Sequence, residues 1–416
     1  MSNLLFELHQ HNDVVMTERN GIKIPARYHT PEKEHRAVRQ NILLCDYSHF
    51  GKAKISGESA WELLNVLVSG DVSSIRDEQA MYTLMLDDQG QIITDLYILC
   101  DEESYLLFSE WMTSEALCER ITALMAERVG EFDDIEQIIP LNDQGLLHIE
   151  GPYSWELLVE LYGMDIAGLP FQEHMHVCDE LILLRAGKHG EFSYKLFGDY
   201  ASLADAWQQL VEAGEKFDLC LGGLDYQQQV RLENPCFIPT PLLSLSRCPI
   251  ELQLQWMVRY DKDEFIGMEA LKGRLDAGPH RRAIGMSVDG QPSVTLAFGD
   301  EVFLDEEVVG VVIECGYSAD IDKTIGRLFI DSEFAWADLS HLTARSSSGD
   351  EIALRTAAVP FARNYSFLIN PAEHSYIDKR RPRDLLQQFE WQKEREEQEK
   401  AATPAAPAEM SIQGMK

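Results

Sequence analysis

Three potential metal ligands alternate along one short segment of the sequence: His174, His176 and Cys178. On a β-strand, alternate residues point to the same face, so these three side chains would lie together. A zinc site, however, needs a fourth ligand and usually turn-like spacing between its ligands. We therefore interpret the segment as a half-exposed strand, and we expect no metal site.

The eight cysteines favour neither a disulfide framework nor a nucleophile. None belongs to a CxxC pair, and scattered cysteines of this kind indicate reduced, mostly buried thiols. Cys236 and Cys248 lie among prolines in the loop from Asn234 to Pro249. A reactive thiol needs a base or a positive charge beside it, and the sequence supplies no base for either residue. GxGxxG, P-loop and GxSxG motifs are also absent from the sequence.

An internal repeat indicates how the first half of the chain folds. The sequence GESAWELL at 57–64 recurs as GPYSWELL at 151–158. Each copy follows a short apolar strand and opens a helix with its apolar residues at helical spacing. A β-hairpin (92–99 with 104–108; 181–184 with 192–197) and a helix (114–129; 200–213) follow in each half. We predict two related α+β units that pack about a pseudo-twofold axis.

The sequence changes character after His280. Six short β-like runs between residues 282 and 355 are separated by Gly, Asp and Ser, which predicts a small antiparallel barrel or sandwich. From Lys379, a basic patch leads into a charged helical run that ends near Lys400, and the Ala/Pro-rich end is typical of disorder. We expect the helix to dock through Leu385, Leu386 and Phe389. The alternative is an interaction tail for a partner protein.

Ten short segments follow one another in a fixed order between about residues 20 and 370. They are EHRAVR at 34–39, CDYSH at 45–49, YTLML at 82–86, GQIITDL at 90–96, IEGP at 149–152, GKHGE at 187–191, RLE at 231–233, Trp256, FIGMEAL at 265–271 and GYS at 316–318. In this order the chain resembles the aminomethyltransferase family, which includes the T-protein of the glycine cleavage system and folate-dependent demethylases. The resemblance implies an α+β fold of three domains, a cloverleaf around a central channel that binds tetrahydrofolate.

We predict four parts on this basis. Residues 1–55 with 146–250 would form a folate-binding-type domain, and residues 56–145 would form the inserted α+β domain. Residues 251–372 would supply a linker and the β-barrel domain, and 373–416 the charged helix and tail.

The resemblance also implies the chemistry, a one-carbon transfer at N5 of tetrahydrofolate that a carboxylate assists. The family's catalytic loop ends in two consecutive Asp residues, of which the first is catalytic. Thr94 occupies that position here, and Asp95 matches the second Asp. A threonine carries no negative charge near pH 7, so we do not expect the glycine-cleavage reaction itself. Asp95 is either catalytic or a cap at a turn or strand end.

Two lysines replace the residues that contact the pterin in the family. Lys188 stands for a Tyr and Lys195 for a Glu. A lysine offers three donors and no acceptor, and each charge-assisted hydrogen bond lost costs roughly 1.5–3 kcal/mol. The usual pterin pose is therefore disfavoured, and we expect Lys195 to face the channel and bind an anionic group. The alternative is that both lysines turn to solvent.

Other positions of the family's channel are retained. By resemblance, Tyr82 and Trp256 would form its aromatic walls and Arg231 would contact the cofactor, unless Arg231 forms an ion pair with Glu233. We expect the backbone to satisfy His49. The loop from Asn234 to Pro249 differs from the common family sequence and would reshape the channel mouth.

Composition excludes some partners. The chain has 36 Lys and Arg against 70 Asp and Glu, a net charge of −34, which argues against nucleic acid and anionic membranes because these need clustered cations. No apolar run approaches the ~18 residues of a membrane span, and we see no export signal. We predict a cytoplasmic location.

Two functions follow as hypotheses. The first is a one-carbon transferase or demethylase linked to tetrahydrofolate, acting on a small-molecule methyl donor other than the glycine-cleavage intermediate. The second is a non-catalytic or regulatory protein that binds a folate-type or anionic ligand on the same fold.

Overall fold

The computed structural model describes residues 4–10, 14–236, 242–288, 296–362 and 364–382. Three of its described α-helices begin at a side chain that accepts hydrogen bonds from the first free backbone N–H groups. Thr113 accepts from the N–H of Ala116, and Asp199 accepts from those of Ala201 and Ser202. The helices are α1 (Leu4–His9), α2 (Pro31–Gln40), α3 (Ala60–Leu67), α4 (Ser114–Glu127), α5 (Ser154–Tyr162), α6 (Asp165–Gly168), α7 (Tyr200–Gly214), α8 (Gln227–Glu233) and α9 (Met268–Ala277).

Four sheets are formed by the described residues. A two-stranded sheet pairs β1 (Val15–Arg19) with β2 (Ile22–Arg27). A six-stranded sheet has the order β10-β11-β12-β9-β3-β13, and a five-stranded sheet has the order β5-β6-β7-β4-β8. Their strands are β3 (Leu43–Asp46), β4 (Gly51–Gly57), β5 (Ala80–Leu86), β6 (Ile92–Asp101), β7 (Ser104–Ser109), β8 (Ile135–Pro140), β9 (Gln144–Glu150), β10 (Glu173–Cys178), β11 (Leu181–Arg185), β12 (Ser193–Asp199) and β13 (Cys220–Gly222).

The β-rich segment closes into a barrel of order β14-β17-β16-β15-β18-β19. Of the two architectures that its sequence pattern allowed, the structure has the barrel. Closure leaves no unpaired edge on this sheet. Its strands are β14 (Arg281–Val288), β15 (Glu301–Leu304), β16 (Glu307–Ser318), β17 (Lys323–Asp331), β18 (Leu342–Arg345) and β19 (Glu351–Ala357).

The internal repeat has a structural counterpart in two glycines. Gly57 ends β4 with φ +123°, and Gly151 follows β9 with φ +132°. A Cβ on Gly57 would lie 2.1 Å from the carbonyl oxygen of Asp134, and one on Gly151 would lie 2.4 Å from that of Asn41. Both positions therefore require glycine, for the same reason, immediately before a helix.

The two repeated hairpins meet in the core. Phe108 of β7 packs on Phe197 of β12 with their ring centroids 4.8 Å apart. Both belong to a buried apolar cluster that draws on both large sheets, with Tyr97 of β6 and Leu184 of β11 among its members. Burial of this apolar surface is the main stabilising term.

The chain divides into two compact units, Met1–Phe367 and Leu368–Lys416. In the second unit, the described residues form turns with an isolated bridge between Ser375 and Arg380. The four-part domain division stays a prediction. The expected helix at Leu385–Phe389 and the tail after Lys400 lie outside the described residues. None of the described helices is both long enough and apolar enough to cross a membrane.

The alternating His/Cys segment is β10, and the predicted half-exposed strand is confirmed. His174 is buried, whereas His176 and Cys178 are exposed. His174 Nε2 lies 3.4 Å and His176 Nε2 2.8 Å from Asp101 Oδ1. Hydrogen bonds from these two imidazoles lower the pKa of Asp101 to about 2, against the opposing effect of burial. All eight cysteines are free; four are buried, three are half-buried and Cys178 is exposed.

Candidate functional site

A cavity of about 480 Å³ is lined by residues of the five-stranded sheet, of connections between strands of the six-stranded sheet, and of the barrel. Tyr82 comes from β5, Lys188 from the connection between β11 and β12, and Arg327 from β17. Trp256 stands at the wall with 65% of its surface exposed. The remaining lining includes the segments Asn234–Cys236 and Ala283–Gly285. A volume of this size suits a small molecule.

A chain of four buried charges lies behind the cavity wall. Asp95 of β6 accepts hydrogen bonds from the hydroxyl of Tyr82 and the ammonium of Lys188. Lys188 Nζ also lies 3.2 Å from Glu110 Oε2, and Arg231 Nη2 lies 2.7 and 3.0 Å from the two Glu110 oxygens. Two carboxylates thus compensate two cations.

The pKa shifts follow from this pairing. Burial opposes the charged form of Lys188, but the negative charges of Asp95 and Glu110 outweigh it and raise the pKa of Lys188. Burial likewise opposes the ionised form of Glu110, yet Arg231 and Lys188 hold the pKa of Glu110 well below its usual range. Lys188, Glu110 and Arg231 are therefore charged together near neutral pH.

Thr94 and Asp95 point to opposite sides of β6, as adjacent strand residues do. The Thr94 hydroxyl is buried and lies 2.9 Å from Ser109 Oγ and 3.1 Å from the backbone oxygen of Asp95. Asp95 instead reaches Lys188. It lies within β6 and serves as no cap, so the alternative of a turn or strand-end cap was wrong. Asp95, unlike Thr94, contacts two residues of the cavity wall, Tyr82 and Lys188.

Lys195 is neither at the cavity wall nor in solvent, and both sequence expectations for it were wrong. It lies on β12, is 2% exposed, and donates to the backbone oxygen of Ala186 at 2.7 Å. Its ammonium stands 4.9 Å from the ring centroid of Tyr97. Burial, opposed by the negative charge of Glu150 and reinforced by the positive charge of Lys188, lowers the pKa of Lys195 to about 7.

Lys195 does line a second, much smaller void of about 10 Å³. This void is close to the smallest volume that holds a water molecule. Its other walls are Tyr47, Phe50, Glu110, His148, Lys188, His189 and Arg231. Lys188 therefore separates the small void from the larger cavity, since it lines both.

Arg231 and Glu233 do not pair with each other, which corrects the alternative proposed from sequence. Arg231 pairs with Glu110, as described above. Glu233 accepts from Arg39 Nη2 at 2.8 Å and lies 2.9 Å from His35 Nε2. The two residues are separated by a single position on α8 and point to different partners.

The backbone does not satisfy His49, contrary to expectation. Its ring is buried, and neither ring nitrogen has a hydrogen-bond partner among the described residues. Burial lowers the pKa of His49 to about 3, against the attraction of Glu110. A neutral ring is therefore the form that the core accommodates.

A second polar cluster surrounds Glu150 at the end of β9. Glu150 Oε2 lies 3.0 Å from His189 Nδ1, 3.2 Å from His148 Nε2 and 3.1 Å from the hydroxyl of Tyr226. The Glu150 carboxylate and the imidazoles of His148 and His189 lie close enough together to hold a metal ion. The positive charges of Lys195, beside His148, and Arg231, with Nε 3.4 Å from His189 Nε2, disfavour a bound cation.

The protonation states in this cluster differ between its two histidines. Burial and Lys195 lower the pKa of His148 to about 4. Burial also acts against a charged His189, but Glu150 and Cys236 outweigh it and raise the pKa of His189. Burial opposes an ionised Glu150, and His189 and His148 hold its pKa well below the usual range. His148 is therefore neutral, whereas Glu150 favours a proton on His189.

Sequence reasoning missed Glu110, His148, Glu150 and His189 as members of the two buried polar clusters, and Cys236 as a residue that lines the cavity. The single available signal was that His189 and Glu150 lie in two of the ten ordered segments. Glu110 follows β7 without any motif, and its partner Arg231 lies on α8, far away in sequence.

Comparison with known proteins decides the family. The model of the GCVT N-terminal domain matches residues 5–262. This chain belongs to that family. It is 28% identical over 340 residues to an aminomethyltransferase of Thermoanaerobacter sp. (strain X514), covering 80% of this chain and 89% of the relative. It is 29% identical over 336 residues to an aminomethyltransferase of Streptomyces avermitilis, covering 79% and 88%.

A solved structure shows that the fold is shared. The glycine cleavage system aminomethyltransferase T of Bartonella henselae superposes with a TM-score of 0.72 at 22% identity, over 87% of this chain and 98% of that one. The resemblance inferred from the ten segments and the α+β fold with a terminal β-barrel are therefore confirmed.

The two positions expected to contact a pterin in this family do not fit that role here. Both are lysines without an acceptor atom. Lys188 is already held by Asp95 and Glu110, and Lys195 is buried outside the cavity. Tetrahydrofolate in the pose that the resemblance implies would find neither acceptor, so we derive no step through it.

Proposed function

We propose that the chain is a one-carbon transferase, of the methyl or aminomethyl type, acting on a small donor other than the glycine-cleavage intermediate. One observation carries the proposal: two wall residues of a cavity of small-molecule size, Tyr82 and Lys188, are both held by the buried carboxylate of Asp95 directly behind them. Membership of the GCVT family and the curated aminomethyltransferase relatives support the reaction class.

The wall residues have definite roles in this proposal. The Lys188 ammonium has three N–H donors, of which Asp95 and Glu110 take two. The third is available to an oxygen of the ligand, preferably an anionic one. Tyr82 and Trp256 provide aromatic surface for its apolar or cationic part. Asp95 accepts hydrogen bonds from the Tyr82 hydroxyl and the Lys188 ammonium, and so keeps both groups oriented.

A second candidate function is a non-catalytic protein that binds an anionic ligand in the same cavity. Thr94 favours it, because this position carries no ionisable group and its hydroxyl is committed to Ser109. Under this alternative Lys188 binds the ligand and no group is transferred.

A turnover assay separates the two. Purified protein is incubated with sulfonium, quaternary ammonium and aryl ether methyl donors, with and without tetrahydrofolate, and the demethylated donor is measured by mass spectrometry. We expect turnover of one donor class and none of the aminomethyl-lipoyl intermediate. Asp95→Asn should lower the rate by about tenfold or more, since a misplaced electrostatic group costs at least that much.

The exposed Asp88 provides the control, because Asp88→Asn changes a nearby carboxylate that is outside the cavity. Its rate should equal that of the wild type. Ligand binding by calorimetry without any demethylated product would refute the transferase and leave the binding protein. Turnover of the lipoyl intermediate would refute the proposed donor.

A further inference from the structure

Arg327 is a second cationic residue of the cavity wall. It lies on β17 of the barrel, whereas Lys188 lies in the connection between β11 and β12. The described residues that line the cavity include no Asp or Glu, although the whole chain has 70 of these against 36 Lys and Arg. A wall whose charge is opposite in sign to that of the whole chain favours an anionic ligand.

The guanidinium of Arg327 is held at one edge. Its Nε donates a hydrogen bond to Glu314 Oε1, and the two residues are register partners on β17 and β16. The Arg327 side chain is 9% exposed, and neither of its Nη atoms has a hydrogen-bond partner among the described residues. A guanidinium has five N–H donors, so those of the Nη atoms are available to a ligand.

Lys188 and Arg327 share one arrangement. Each is paired with carboxylates that do not line the cavity: Asp95 and Glu110 hold Lys188, and Glu314 holds Arg327. Each group of charges therefore presents its positive end to the cavity and keeps its negative end behind the wall. Donors that are fixed before binding lose little conformational freedom when a ligand arrives.

The same cavity has an apolar part that solvent reaches. Phe171 is 60% exposed and Trp256 is 65% exposed, and both line the cavity. Large aromatic side chains that are exposed at a cavity provide apolar contact area for a ligand. The cavity therefore combines two separate cations with an aromatic surface.

We propose that the cavity binds a small molecule that has two anionic groups and an apolar body. One anionic group contacts Lys188, the other contacts Arg327, and the body packs against Phe171 and Trp256. This inference rests on the proposed function, because it takes the same cavity as the ligand site, and it deepens that function by naming the ligand class. Arg327 is then the residue that determines specificity, since a ligand with a single anionic group leaves one of the two cations without a partner.

Calorimetric titration of the full chain tests the ligand class. The probes are the unbranched aliphatic dicarboxylates from succinate to sebacate, whose lengths vary the separation of the two carboxylates. The monomethyl ester of each acid is the control, since it has nearly the same length and one anionic group. At the best length, the dicarboxylate should bind at least about tenfold more tightly than its monoester, because it makes one more charge-assisted contact.

Variants identify the second contact. Arg327→Met should remove the preference for the dicarboxylate and leave the affinity for the monoester nearly unchanged. Arg345→Met is the matched control, since Arg345 pairs with Glu351 across two strands of the same barrel and does not line the cavity. Glu314→Gln keeps the guanidinium of Arg327 and an acceptor for its Nε, so the preference should persist.

The wild type alone can overturn the inference, so a variant that fails to fold does not protect it. If no dicarboxylate binds the wild type more tightly than its monoester, the ligand class is wrong. If Arg327→Met folds, as circular dichroism would report, and retains the preference, Arg327 is not the second contact. Both measurements are made without turnover, so either failure leaves the proposed transferase intact, and a transferase that fails the turnover assay leaves the ligand class intact.

Discussion

Two buried lysines, Lys188 and Lys195, line the same small void and differ in the groups that surround their ammonium atoms. Lys188 contacts two carboxylates, and its pKa is raised in spite of burial. Lys195 contacts a backbone carbonyl, and burial lowers its pKa to about 7. Both side chains are buried, so the charged groups beside each lysine decide whether it stays protonated.

The different partners of Lys188 and Lys195 also give the two lysines different roles. Lys188 is part of a compensated chain with Asp95, Glu110 and Arg231, which keeps it charged at the cavity wall. Lys195 is close to Glu150, whose charge His189 already shares. A neutral Lys195 would satisfy Ala186 equally well as a donor. The sequence treats both positions alike, as a lysine in place of a family residue.

The largest expected effect is the loss of Lys188. Lys188→Met would leave the buried Asp95 side chain with the Tyr82 hydroxyl as its remaining hydrogen-bond donor among the described residues. Removing one member of a buried ion pair costs about 3–5 kcal/mol, so the free energy of unfolding measured with urea should fall by that amount. The same substitution at Lys272, exposed and paired with Glu269, should change it by less than about 1 kcal/mol. A loss below about 1 kcal/mol at Lys188 would contradict the compensated chain.

The second effect is a pH dependence that Lys195 contributes. Its pKa is lowered from its ordinary value of 10.5 to about 7 in the folded state. Between these values the unfolded chain binds more protons, so stability rises with pH. The free energy of unfolding of the wild type relative to Lys195→Met should grow by about 2 kcal/mol from pH 7 to pH 9. Urea titrations at both pH values measure it. A flat difference would show that Lys195 stays protonated.

The smallest effect is expected at an ion pair that solvent reaches. Arg27 Nη1 lies 3.0 Å from Asp225 Oδ2, and the two side chains are 45% and 37% exposed. Arg27→Met should lower the free energy of unfolding by less than about 0.5 kcal/mol, because water screens the pair. Addition of salt should reduce even this difference. If Arg27→Met lowered the free energy of unfolding as much as Lys188→Met, burial would not explain why the ion pairs of Lys188 contribute so much stability.

Local patterns in the sequence determined most of the fold. The repeated GESAWELL and GPYSWELL segments predicted the two strand–helix units, and the structure places the required glycines, Gly57 and Gly151, at equivalent turns. Alternation predicted the hairpins and the β10 strand. These features depend on neighbours along the chain, which one sequence displays directly.

The site depended on contacts that a single sequence does not display. Thr94 and Asp95 are adjacent, and the direction in which each points follows from the register of β6. Lys195 was expected at the cavity, yet its strand turns it into the core beneath Tyr97.

Lys188, Glu110 and Arg231 come from a hairpin connection, the residue after β7 and α8, and they meet where three segments distant in sequence pack together. The sequence determined the family, the repeated elements and the residue types. Only the tertiary structure decided which charges compensate one another. Burial and partner distance set those energies, and both are properties of the packed core.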